Sequence, residues 1–109
     1  MATINDSPHH GFHQVLAGVP LSWRRLVPHD INFLRTENGR NLAAFAIYSP
    51  EGGTFYYHDE ESLNGYGAIG GVIQPKVIEL LAGATMPGCF FKIMATNTTV
   101  SRFWAAWTQ

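Results

Sequence analysis

The sequence predicts a mixed α+β domain: an antiparallel sheet of about four to five strands with one main helix packed on one face. Three observations lead there. Short apolar runs separated by turn signals fill residues 21–58, the pattern of strands joined by tight connections. A second alternating run spans 89–95. Between them, Val77, Ile78, Leu80 and Leu81 fall at helical spacing behind Pro75.

Taken in order, residues 1–8 read as a loosely held polar start. Ser7 and Pro8 then suit the N-cap and first position of a short helix ending near Gly18. Leu21–Val27, bracketed by Pro20 and Pro28, reads as an edge strand, because proline cannot donate to a ladder. Residues 31–35 and 42–48 read as strands joined by Asn38-Gly39, the pair that accommodates the positive φ of a type I′ turn. Ser49–Gly53 is a second turn and 54–58 a third strand, so the three are expected to form a meander. Residues 59–71 form a polar and glycine-rich loop. The helix is expected over 74–82, with Pro75 in its first turn and Gly83 at its C-terminal side. Cys89–Ala95 is the next strand. Residues 98–108 fit both periods and are read as a strand, since a short connection would extend the sheet.

With 109 residues and 46% hydrophobic content, the chain matches one domain with its own core. Net charge is −1, from seven basic and eight acidic residues, so no long-range field attracts a polyanion or an anionic membrane. Nucleic acid and membrane are therefore not expected partners. Charged residues make up only 14% of the chain, and a surface so sparsely charged resists association poorly. Cys89 is the sole cysteine, which precludes an internal disulfide and fits a reducing compartment; a cytoplasmic location is expected. Met1–Asp6 has neither the basic nor the apolar region of a secretory leader.

Four groups of residues are candidates for chemistry. His9, His10 and His13 cluster within five positions, and His9 and His13 would share a helix face. Two such imidazoles can chelate a divalent metal, but a site needs a third ligand, from His29, His58, Asp59 or Cys89. Gly65-Tyr66-Gly67-Ala68-Ile69-Gly70 has the spacing of a dinucleotide loop. It lacks the preceding buried strand that gives such a loop its meaning, so the expected reading is a flexible glycine loop. His58 stands beside Asp59, Glu60 and Glu61. Neighbouring carboxylates raise an imidazole pKa, making His58 and Asp59 candidates for acid–base work. Finally, the aromatic residues are too many for one covered face. Adjacent residues on a strand point to opposite sides, so Tyr56 and Phe90 are expected opposite Phe55, Tyr57 and Phe91.

The leading expectation is a small non-enzymatic binding module acting by protein–protein contact: an inhibitor, an immunity- or phage-type accessory protein, or an assembly subunit. Its contact residues are expected among Tyr56, Tyr57, Tyr66 and Trp107, its partner another protein or its own copy, with no metal and no cofactor. The alternative is a small metal- or His-dependent enzyme using His58 or the His9/His10/His13 cluster. A pocket lined by aromatics is a third option.

Overall fold

The computed structural model describes residues 21–108. The expected helix near Ser7, the loose start at 1–8 and the cluster His9, His10 and His13 lie outside them. The regular structure of the described chain is almost all antiparallel strand, which takes up about half of its residues, with turns and irregular segments between. Its elements are β1 (Leu21–Leu26), β2 (Thr36–Glu37), β3 (Arg40–Asn41), β4 (Ala44–Ser49), β5 (Gly53–His58), α1 (Glu60–Leu63), β6 (Lys76–Leu80), β7 (Ala84–Phe90), β8 (Lys92–Ile93) and β9 (Phe103–Thr108). They form a four-stranded sheet in the order β1-β9-β4-β7, a three-stranded sheet in the order β6-β5-β8, and the small hairpin β2-β3.

The α+β expectation is therefore wrong. Residues 76–80, expected in the main helix, form β6, and the only helix among the described residues is the single turn α1. The run Val77-Ile78-Glu79-Leu80 fits both periods because it is so short. The structure selects the strand period: Ile78 and Leu80 turn inward, while Val77 and Glu79 turn outward. A helix would have buried Leu81, which is instead 84% exposed. β-branched Val77 and Ile78 also favour the extended state.

The meander is also corrected. Asn38 and Gly39 do take the positive φ values, 53° and 75°, of a type I′ turn, but the strands they join are only two residues each. Residues 31–35 are irregular. They are tied to the link between β7 and β8 through the N–H of Leu34, which donates to the carbonyl of Phe91 at 2.9 Å. β4 and β5 do not pair with each other. β4 lies between β7 and β9, and β5 between β6 and β8.

Ser49–Gly53 is thus a corner between two sheets. Gly52 and Gly53 take φ values of 70° and 128°, which bend the chain sharply. Buried Ser49 fastens the corner: its hydroxyl donates to the Gly52 carbonyl at 3.0 Å, and its carbonyl accepts from the N–H of Gly83 at 2.9 Å. The second contact joins this corner to the β6–β7 connection, so two sheet-to-sheet crossovers lie against each other. A side chain at Gly52 would meet the Leu80 carbonyl oxygen and the Ala82 nitrogen at 2.6 Å.

The core fills the space between the sheets. Ala44 and Ile47 of β4, Phe103, Ala105 and Trp107 of β9, and Phe55, Leu80 and Ile93 of the three-stranded sheet share one buried cluster. Phe55 and Phe103 meet edge to face, 5.9 Å between ring centres, a favoured aromatic geometry. The opposite face of the four-stranded sheet carries a second cluster, Leu21, Trp23, Ala46 and Ala106, with Tyr48 and Trp104 against it. β4 and β9 are consequently buried on both faces. Residues 103–108 pair as a strand, as expected, and β1 ends the four-stranded order among the described strands.

Candidate functional site

The His58 region is built around a helix cap. Asp59 caps α1: its side chain accepts the N–H of Ser62 at 2.9 Å, while Ser62 Oγ accepts the N–H of Asp59 at 3.0 Å. Glu60 and Glu61 sit in the first turn, where the helix dipole favours negative charge. His58 Nδ1 lies 2.9 Å from the same Ser62 Oγ, and both residues are buried, His58 at 3% exposure and Ser62 at none. Burial holds the His58 pKa below its ordinary value, aided by nearby Lys92 and opposed by Asp59. This reverses the sequence expectation, because burial outweighs the pull of the Asp59 carboxylate, which is itself engaged by a lysine. Lys76 Nζ reaches Asp59 Oδ2 at 2.7 Å and Glu61 Oε1 at 2.6 Å.

Partial burial acts to raise the Asp59 carboxyl, but the Lys76 hydrogen bond and the Ser62 N–H outweigh it and hold the group below its usual range. The two carboxylates in turn raise the Lys76 ammonium. The cluster therefore resembles a nucleophile–base pair in composition only. Its serine is sealed inside a turn, its histidine holds that turn, and its carboxylates hold the lysine that starts β6. The Cys89 thiol is pushed up by partial burial and by Glu60 and Asp59, which disfavours the reactive thiolate. Among the described residues no group of three metal-ligating side chains comes together.

The four expected contact residues separate. Trp107 is 3% exposed: its indole N–H donates to the Leu42 carbonyl at 3.1 Å, and the guanidinium carbons of Arg24 and Arg35 lie 6.0 and 5.5 Å from its ring centre. It belongs to the core. Tyr56 and Tyr57 are half-buried on β5, and Tyr57 packs edge to face on Phe90 at 5.1 Å. Phe90 is thus the inward aromatic of its pair, on the same side as Tyr57, contrary to the parity expected from sequence. Tyr66 is 68% exposed, with Lys76 Nζ 5.5 Å from its ring centre.

Beyond Tyr66 the structure displays an apolar surface that sequence reasoning missed. Ile69 and Val72 exchange two backbone hydrogen bonds of 3.0 Å around Gly70 and Gly71, whose φ values are 57° and 81°. That is a tight turn of the I′ kind, and it holds Ile69 and Val72 outward at 70% and 61% exposure. Ile73, Val77 and Leu81 are also exposed. Val77 lies on β6, the end strand of its sheet, whose outer edge pairs with no strand among the described residues. Flanking apolar residues around Gly70-Gly71 are a hairpin signal. The run was obscured by its resemblance to a phosphate loop, and the expected helix hid Val77 and Leu81. No helix follows these glycines to receive a phosphate.

Among the described residues no helix is long and apolar enough to cross a membrane. Compared with protein-family models, with curated proteins and with solved structures, the chain matches none.

Proposed function

We propose that this protein works by protein–protein contact, through the edge of β6 and the apolar turn before it, and that the occupant of this surface is a second copy of the chain. One observation carries the reading. Six large apolar side chains within residues 66–81, Tyr66, Ile69, Val72, Ile73, Val77 and Leu81, are exposed beside a strand edge that pairs with no strand among the described residues. Open edges recruit strands, and exposed apolar clusters mark contact surfaces.

The composition of β6 favours its own copy. Two antiparallel strands related by a two-fold axis keep their faces aligned, so the axis must pass through a residue position. Centred on Ile78, the pairing uses all of Lys76–Leu80 and leaves Pro75, which lacks an N–H, outside the ladder. It sets Val77 opposite Glu79 and Lys76 opposite Leu80, with no like charges facing each other. Centring on Lys76 or Glu79 would oppose identical charges. The net charge of −1 adds little repulsion between copies.

Sedimentation equilibrium tests this with two substitutions. Wild-type protein is expected to dimerise with concentration. Val77→Glu should abolish dimerisation by facing Glu79 of the second copy, whereas Val77→Lys should preserve it by offering that carboxylate an opposite charge. A wild type monomeric at every concentration, or a Val77→Glu variant that still dimerises, would overturn the reading.

A further inference from the structure

A cavity of about 550 Å³ opens at the far end of the four-stranded sheet, lined by Arg25, Pro50, Glu51, Ser101, Arg102, Phe103 and Trp104. We infer that it is a binding site for a small oxyanion, a phosphate or carboxylate group carried on a planar ring, held by Arg25 and Arg102 against Trp104.

The fold brings these residues together from three places. Arg25 lies near the end of β1 and pairs in register with Trp104 of β9. Directly opposed residues of an antiparallel pair project to the same side, so the guanidinium and the indole share one face. Arg102 immediately precedes β9, and Pro50-Glu51 is the corner that follows β4. The volume is in the range of small-molecule sites.

Charge identifies the ligand class. Among the described residues, the ion pairs use Arg35, Lys76 and their carboxylate partners, and neither Arg25 nor Arg102 takes part. Glu51 lines the same cavity, yet its carboxylate is within 4.0 Å of neither arginine. Among the described lining residues, two guanidinium forks stand against one carboxylate, a net positive balance in a chain whose net charge is −1. A guanidinium fork matches the oxygens of a carboxylate or phosphate in a bidentate manner. The Ser101 hydroxyl supplies a further donor at the rim. Trp104 is half-buried, so part of its ring faces the cavity and offers a planar ligand a surface to stack on. Glu51 acts against a ligand that carries several anionic groups, which favours a single terminal one. The site is separate from the β6 surface and does not depend on it.

Isothermal titration at low ionic strength tests the inference with three probes: inorganic phosphate, adenosine monophosphate and benzoate. The monophosphate and benzoate arms separate the two sources of oxyanion, and inorganic phosphate reports the anion without the ring. Wild-type protein is expected to bind one of the ring-bearing probes more tightly than inorganic phosphate. Arg25→Ala and Arg102→Ala should each weaken that binding at least about tenfold, the worth of one charge-assisted hydrogen-bonded pair. Arg25→Lys should restore it only in part, because an ammonium keeps the charge but not the fork. Arg40→Ala, the same charge change on the remote β2–β3 hairpin, should leave it unchanged. Circular dichroism checks that each variant is folded. No binding by any of the three probes, or equal binding by wild type and a folded Arg102→Ala variant, would overturn the assignment.

Discussion

The two main sheets share a core but differ in how fully their strands are covered. In the four-stranded sheet, β4 and β9 are buried on both faces, and their side chains alternate between two clusters. In the three-stranded sheet, β5 contributes Phe55 to the core, while its neighbour β6 turns Val77 and Glu79 to solvent along an edge that is unpaired among the described residues. Stability therefore concentrates where the sheets face each other. Six of the nine exposed large apolar residues among those described lie within 66–81, on β6 and the segments flanking it, the others being Val27, Ile31 and Phe45, and that separation from the core lets a contact surface change without unfolding the protein.

The largest effect that can break this comparison lies at the shared core. Phe55→Ala removes a fully buried ring from between the sheets and should cost about 3–5 kcal/mol in urea unfolding. A loss as small as that of a surface substitution would mean that the sheets do not depend on each other.

The corners come next. Gly52→Ala combines a left-handed φ with contact against three backbone atoms and should cost about 2–4 kcal/mol. Gly39→Ala has nearly the same φ, 75° against 70°, but a side chain there meets nothing within 4 Å. Its expected cost is about 1 kcal/mol, from conformation alone. Equal effects would show that the crossover between sheets is not the tight element described above.

A smaller effect comes from His58. Its folded pKa is lowered by burial, so the unfolded chain binds the proton more readily. Stability from this group is present above the ordinary pKa near 6.5 and declines as pH falls through that value toward the folded one. Thermal unfolding followed from neutral to mildly acidic pH should show the decline, and His58→Asn, which keeps a polar atom near Nδ1, should reduce it. An unchanged pH profile in the variant would remove His58 as the cause.

The sequence was most informative where a strand must alternate or a turn must take positive φ. Leu21–Leu26 and the Asn38-Gly39 turn were readable on those grounds, whereas Phe103–Thr108 fitted both periods and was read as a strand only from the short connection before it. It was least informative over 74–82. Four apolar residues in five positions satisfy both periods, and only the pairing of β6 alongside β5, which turns Ile78 and Leu80 inward, decides between them. The pairing of β4 away from β5 was equally hidden. The turn residues of Ser49–Gly53 mark a change of direction, but a hairpin and a sheet-to-sheet corner require the same glycines. For the candidate surface, Tyr66 was legible as an aromatic between glycines. Ile69, Val72 and Val77 were not, because exposure depends on which neighbours the fold supplies. Trp107 erred the other way: its composition suits an interface, but its place beside Leu42 and Arg35 puts it inside.

The smallest expected effect on stability, and the largest on association, lies at Val77. Both Val77→Glu and Val77→Lys should unfold within about 0.5 kcal/mol of wild type, as exposed substitutions do, while differing in oligomeric state. The most direct measurement is an isotope-filtered nuclear Overhauser experiment on a mixture of labelled and unlabelled protein. The pairing centred on Ile78 predicts cross-peaks from the Val77 methyl groups of one copy to Glu79 of the other. A concentrated sample that gives no intermolecular cross-peak at β6, or gives them only from another strand, would contradict it.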